Sequence, residues 1–372
     1  AQTGISFQNS KSWEALKAES KAANKLIFLD AYASWCGPCK KMSKEVFTNE
    51  QVGKLFNSKF INAKIDMEAG EGIVLASAYE IKAYPTLLFI DGDGKMVHKV
   101  LGYKTVEELL GAANDSRDPN KQYASLMKLY KGGKLPGGSY TNLLKALDDA
   151  GEEDQSALVA SEFLAKNSNW MAEPQLNMLV NYSKDVSSGQ FKFLINNEVS
   201  IGKMSQYKNI SDQLDMAVRD YVVGETIDQT EMKFDKEKAR RLFKTYRAAT
   251  ADRLYCGLAF DYAVYKKDAE EIEVAGLELG AFASQLSSKA LNELAWQFFE
   301  TVKNTASLKK AIEWALLSIK KESNFFNNDS AANLYAKLGD KVMARKYAEA
   351  AIKLGMEEGE DTEDTQKLLK SL

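Results

Sequence analysis

A chain of 372 residues has room for two to three domains at about 150 residues each. With 45% hydrophobic and 27% charged residues it has a globular composition and not a disordered one. The 49 Lys and Arg against 52 Asp and Glu give a net charge of −3, which lacks the basic excess of a nucleic-acid binder.

The small counts exclude more. A single His98 rules out a two-histidine zinc site and obliges any Cys-His or Ser-His hydrolase to use that one imidazole. Three cysteines cannot staple a chain of this length, so they point to chemistry at a few positions. The sequence opens Ala1-Gln2-Thr3-Gly4 with no initiating Met, the form of a mature chain after cleavage behind a small residue. Export is therefore expected, into the periplasm or another oxidising compartment, with the cytoplasm as the alternative. No window approaches the roughly 18 to 20 apolar residues of a membrane span.

In chain order, β-type runs rich in Ile, Leu, Val and Phe cover Leu26–Tyr32, Phe60–Asp66, Thr86–Ile90 and Met96–Leu101. Helix-period stretches separate the first three, and Asp91-Gly92-Asp93-Gly94 predicts a hairpin between the last two. A helix is predicted over 106–113. This order is that of an α/β domain over residues 1–114, a central mixed sheet flanked by helices. Residues 115–121 read as a linker, with Pro119 among turn-forming polar residues.

Beyond it the β signal fades, and apolar residues recur at three- and four-residue steps, as in Leu143, Leu144 and Leu147. An all-α helical-repeat region is predicted, with residues 122–285 helical and 286–372 forming helical hairpins. The glycine-rich run 131–139 fails the order of a phosphate loop and reads as a connector. Near the end, Ala311, Trp314 and Ala315 followed by Ile319 are echoed by Ala344, Tyr347 and Ala348 followed by Ile352. With Leu338-Gly339-Asp340 and Ala351, this echo resembles the tetratricopeptide pattern.

The chemistry concentrates at Trp35-Cys36-Gly37-Pro38-Cys39-Lys40, directly after the first strand and before a helical pattern running from Lys40. A thiol at a helix start meets unpaired N–H groups and the positive end of the macrodipole, so Cys36 should titrate below the free value of about 8.5. Cys36 is the expected exposed nucleophile, and Cys39, one turn further in, the shielded resolving thiol. Zinc lacks ligands, because there is no second CxxC and the third thiol is Cys256; haem attachment lacks a His after Cys39. A silent structural disulfide is the alternative to thiol–disulfide exchange.

Phe28-Leu29-Asp30-Ala31-Tyr32-Ala33-Ser34 followed by that CGPC segment resembles the active-site segment of the thioredoxin family. Tyr84-Pro85-Thr86 and Gly102 fall where that family has its cis-proline loop and last-strand glycine. The resemblance spans residues 5 to 113. Glu45 to Glu50 and Ile90 to Lys95 are similar to the branch that includes the periplasmic domain of thiol:disulfide interchange reductases. The resemblance implies that Asp30 is the buried carboxylate that exchanges a proton with Cys39. It also implies a cis Pro85 against Cys36, with the backbone of Tyr84 free to pair with a substrate strand. Trp35 would shield the site, with Gly37 and Pro38 completing the contact surface. At the family's usual lysine position this sequence has Asn62, and Lys64 stands two residues on along the same strand face.

The expected function is reduction of disulfides in exported proteins, with the helical region recruiting clients. A disulfide isomerase or chaperone, and a non-enzymatic binding scaffold with a vestigial thioredoxin domain, are the alternatives. No metal and no organic cofactor are implied beyond the redox-active pair, and a dithiol protein or a membrane electron carrier must recharge it. Cys256 reads as a small buried hydrophobe and His98 as a surface or edge residue. Trp170, Trp296, Phe298 and Trp314 read as core.

Overall fold

All four strands form where the β-type runs stand: β1 Leu26–Tyr32, β2 Phe60–Asp66, β3 Thr86–Ile90 and β4 Met96–Leu101. In this computed structural model, which describes residues 3–228 and 230–372, they make a mixed sheet of order β2-β1-β3-β4. The β1–β2 pair is parallel and the others antiparallel. The Asp91 side chain closes the predicted hairpin by accepting from the N–H groups of Asp93 and Lys95, each at 2.9 Å. Gly94 supplies the positive φ that the turn needs.

The sheet is covered by α1 Trp13–Ala23, α2 Gly37–Glu45, α3 Glu50–Lys59, α4 Glu71–Ala78 and α5 Val106–Asp115. Two helices lie between β1 and β2 where the periodicity suggested one. Asn49 accounts for the break: its side chain accepts from the N–H groups of Gln51 and Val52 and so starts α3 afresh.

Side chains alternate across β1. Ile27, Leu29 and Ala31 enter one core with Trp13, Leu16 and Leu75. Phe28 enters the other with Met42, Phe56, Phe60 and Phe89. Asp30 shares the parity of Phe28, so the strand carries a carboxylate into the layer beneath α2, fully buried.

The chain divides into two units after Lys184. Four further helices therefore group with the sheet: α6 Tyr123–Lys131, α7 Tyr140–Asp149, α8 Glu153–Ala165 and α9 Gln175–Tyr182. This compact unit thus extends past the sheet domain and residues 115–121, and β4 is not a bare edge. The Nδ1 of His98 accepts from the Tyr123 N–H at 3.2 Å, and Lys145 donates to Asp115 at 3.0 Å. The expectation of a surface His98 is corrected: it is 1% exposed, packed against Phe89 with ring centroids 5.9 Å apart. Its location on a strand next to Lys99 suggested an edge, and only the packing of α6 on β4 buries it.

Burial lowers the His98 pKa to about 4, against the upward pull of Asp149 and Asp115. The unfolded imidazole, near 6.5, takes up its proton first as pH falls. Its contribution to stability is present above about pH 6.5 and is lost between there and about pH 4, roughly 3 kcal/mol in all. Urea unfolding of the wild type should weaken across that window, whereas His98→Gln should be flatter there; equal slopes would contradict this placement.

The second unit is helical apart from a two-residue ladder, β5 Ile227–Asp228 with β6 Lys233–Phe234. Its helices are α10 Gly189–Ile201, α11 Ile210–Thr226, α12 Lys236–Tyr246, α13 Ala251–Lys266 and α14 Ala269–Gly280. They continue with α15 Ser288–Thr301, α16 Thr305–Lys321, α17 Phe325–Lys337, α18 Lys341–Glu358 and α19 Glu363–Ser371. The echoed segments lie on α16 and α18, where Ala311, Ala315, Ala344, Ala348 and Ala351 are fully buried; α16 packs on α15 and α18 on α17. Arg247 is buried with two carboxylates, donating to Asp215 and Glu198 at 2.6 Å each. Cys256 is a free, buried thiol on α13, and burial pushes its pKa up, consistent with a packing role. No described helix is long and apolar enough to cross a membrane.

Candidate active site

The helix carrying the cysteines starts at Gly37, three residues before the predicted Lys40. Pro38 suits a first helical turn, where its fixed φ fits and its missing N–H is no loss. Cys36 is the N-cap residue, and its Sγ accepts from the Cys39 N–H at 3.1 Å. The two cysteines are joined as a disulfide, with Cα atoms 5.3 Å apart. Each is 2% exposed. Cys39 is shielded as expected, but the exposure expected of Cys36 is corrected: in the closed pair it packs with Ala33, under Tyr32 and Tyr84.

The loops around the pair come from three elements. Trp35 is 66% exposed. It is held by its Nε1–H donating to Glu68 at 2.8 Å and by edge contact with Tyr84, centroids 5.9 Å apart. Tyr84–Pro85 is cis, and the Pro85 carbonyl accepts from the Gly102 N–H at 2.8 Å. Among the described residues, Tyr84 makes no backbone hydrogen bond, so its N–H and C=O face no internal partner. Gly37 and Pro38 are exposed. The residues named from the sequence therefore converge on one surface, with Glu68 as an addition that spacing alone did not single out.

Asp30 lies beneath. Both its oxygens are buried without a hydrogen-bond partner, while Lys64 Nζ sits 3.0 Å from Oδ2, in ion contact but off the hydrogen-bonding directions. Burial is the largest influence and pushes the Asp30 carboxyl up; the Lys64 charge works against it. The lysine comes from an unexpected place. Asn62 pairs with Phe28 in the β1–β2 register, whereas Lys64 stands directly opposite Asp30. Lys64 also donates to Ser43, and its Nζ lies 4.7 Å from the centre of the Tyr32 ring. Ser43 Oγ in turn donates to the Cys39 carbonyl at 3.0 Å. A polar chain thus runs from Cys39 through Ser43 and Lys64 to Asp30. Strand register carries this signal, which residue counting missed.

Replacing Lys64 by Met removes the charge that holds the Asp30 carboxyl down. Disulfide-exchange rate plotted against pH should move to higher pH, with a severalfold loss near pH 7, and Lys64→Arg should restore much of it. An unmoved profile would show that Lys64 has no electrostatic role.

Residues 14–116 match the family model described as a thioredoxin-like domain, and with this sheet and this CxxC pair the N-terminal domain is thioredoxin-like. Among known proteins, the thiol:disulfide interchange protein DsbD of Tatumella citrea is 30% identical over 110 residues, 28% of this chain and 19% of that protein. DsbD of Escherichia coli K12 is 32% identical over 96 residues, 25% and 17% respectively. The chain thus spans less than a fifth of the length of these relatives. A candidate disulphide-isomerase from Bacteroides thetaiotaomicron is 39% identical, covering 32% of this chain and 97% of that one, with a TM-score of 0.30. The oxidised C-terminal domain of Neisseria meningitidis DsbD is 23% identical, covering 29% and 99%, with a TM-score of 0.26. Among the described residues no cluster of three or more His, Cys, Asp or Glu could hold a metal ion.

Proposed function

We propose that the protein is a thiol:disulfide oxidoreductase that reduces disulfides in exported proteins, with Cys36 as nucleophile, Cys39 as resolving thiol and Asp30 as proton acceptor. The observation that carries the proposal is the CxxC pair closed at the N-terminus of α2, above a buried carboxylate lacking hydrogen-bond partners.

In the reduced pair, the Cys36 thiolate is favoured by the start of α2. It attacks one sulfur of a substrate disulfide, forming a mixed disulfide and releasing the other substrate sulfur as a thiolate. Cys39 gives its proton to Asp30 and attacks the Cys36 sulfur, which frees the second substrate thiolate and closes Cys36–Cys39. Two electrons pass to the substrate. Tyr84 offers backbone groups to the substrate chain, and Trp35, Gly37 and Pro38 form the contact surface. The cycle needs no organic cofactor, only a dithiol protein or a membrane electron carrier that reopens the pair. Substrates with persistent disulfides belong to oxidising compartments, which is the reason for proposing export. Fractionation of the full-length protein into the cytosol would contradict that part.

The activity is tested by reduction of insulin disulfides with dithiothreitol as the electron source. Wild type should accelerate precipitation of the insulin chains and Cys36→Ser should not. Equal rates would remove the oxidoreductase reading and leave the scaffold.

A further inference from the structure

The second unit holds a cavity of about 550 Å³ between α15 and α17, within the range of about 300–1,000 Å³ usual for ligand sites. Two of its hydroxyls are already engaged: Ser288 donates to the Ser318 carbonyl at 3.1 Å and Ser330 to the Phe326 carbonyl at 3.0 Å. Its charge is mostly of one sign. Glu293 and Asp329 both line the cavity; neither has an ion-pair partner among the described residues, and Glu293 accepts one neutral hydrogen bond, from Gln297 at 3.3 Å. Asp329 accepts only neutral hydrogen bonds, from Thr365 and from Asn333, and burial pushes its carboxyl up. Asn292, also in the lining, has its Oδ1 buried and unpartnered. Two aromatic side chains complete the wall: Trp296, expected in the core but only partly buried, and Phe326, 52% exposed. The only cation in the lining, Lys289, is exposed and forms no ion pair with Glu293 one turn away.

Unpaired carboxylates beside open aromatic faces suit a planar cation with several N–H donors. We propose that this cavity binds an arginine side chain presented by an extended polypeptide segment, the guanidinium meeting Glu293 and Asp329 and lying against Trp296 or Phe326. This gives a chemical form to the client recruitment expected of the helical region and rests on that reading, and it uses none of the thiol chemistry. An acidic segment would meet two carboxylates and only one opposite charge in the lining, Lys289.

The test is fluorescence anisotropy of the full chain, pair oxidised, with a blocked, labelled nonapeptide of glycine and serine carrying one central arginine. The same peptide with citrulline, a neutral analogue of the same shape, should bind about tenfold more weakly. Glu293→Gln and Phe326→Ala change exposed side chains and should fold normally; each should weaken the arginine peptide several-fold and leave the citrulline peptide unchanged. Equal binding of the two peptides, no binding of either, or wild-type affinity in both variants would overturn the proposal. Tight binding of free arginine amide with no gain from the peptide would overturn the polypeptide as occupant. None of these outcomes bears on insulin reduction, so the two proposals fail separately.

Discussion

A Cys39→Ser variant mixed with a disulfide-bonded protein should accumulate a stoichiometric mixed disulfide through Cys36, visible as a band on non-reducing gels that dithiothreitol removes. Catalytic turnover should fall to background in this variant, and Cys36→Ser should lose both turnover and adduct. The asymmetry follows from the helix. Cys36 is the N-cap, where N–H groups and the macrodipole favour a thiolate. Cys39 lies inside the first turn, its own N–H donating to the Cys36 sulfur. A structural disulfide would show no such difference: both variants would lose the same bond and neither would trap a partner. An adduct through Cys39 in the Cys36→Ser chain would reverse the assignment.

Asp30→Asn carries the second large effect. The carboxylate is buried with neither oxygen hydrogen-bonded, and its proposed task is to accept the Cys39 proton. General acid–base assistance of this kind contributes about 10² to 10⁴ in rate; at neutral pH the resolving step should slow by at least about tenfold, with a weaker dependence on pH. Stability should move the other way. Because burial raises the folded carboxyl above its unfolded value near 3.8, the folded state holds the proton more tightly than the unfolded state. Wild-type stability from this group is therefore full below the unfolded value and lost as pH rises through the folded one. The asparagine chain has no such loss, so its advantage in urea unfolding should grow with pH and then level off. Faster unfolding of Asp30→Asn at pH 8 than at pH 5, relative to wild type, would show that the carboxylate is held by bonds this structure lacks.

Much of the first domain was legible because its signals are local. Four apolar runs with turn residues between them became four strands at the same residues, and the helical pattern read from Lys40 placed the helix start to within three positions. What failed to show depends on pairing between distant segments. His98 is buried by α6, whose Tyr123 lies 25 residues on, and no pattern around His98 itself reports that. Lys64 faces Asp30 through the parallel β1–β2 register, which a count from one motif position cannot supply. The unit boundary after Lys184 was hidden for the same reason, since composition changes where strands end and not where packing ends. In the helical unit, periodicity identified helices and the small residues buried on them. The unpaired carboxylates of the α15–α17 cavity carry no motif.

Whether the Cys36–Cys39 pair cycles as a reductant is read most directly from its reduction potential in the full chain, set by equilibration with glutathione and followed by thiol trapping. The CGPC pair should equilibrate reversibly at about −270 mV, the value typical of reducing thioredoxins. A pair that resists equilibration, or one at about −180 mV or above, where isomerases and oxidants lie, would contradict the account.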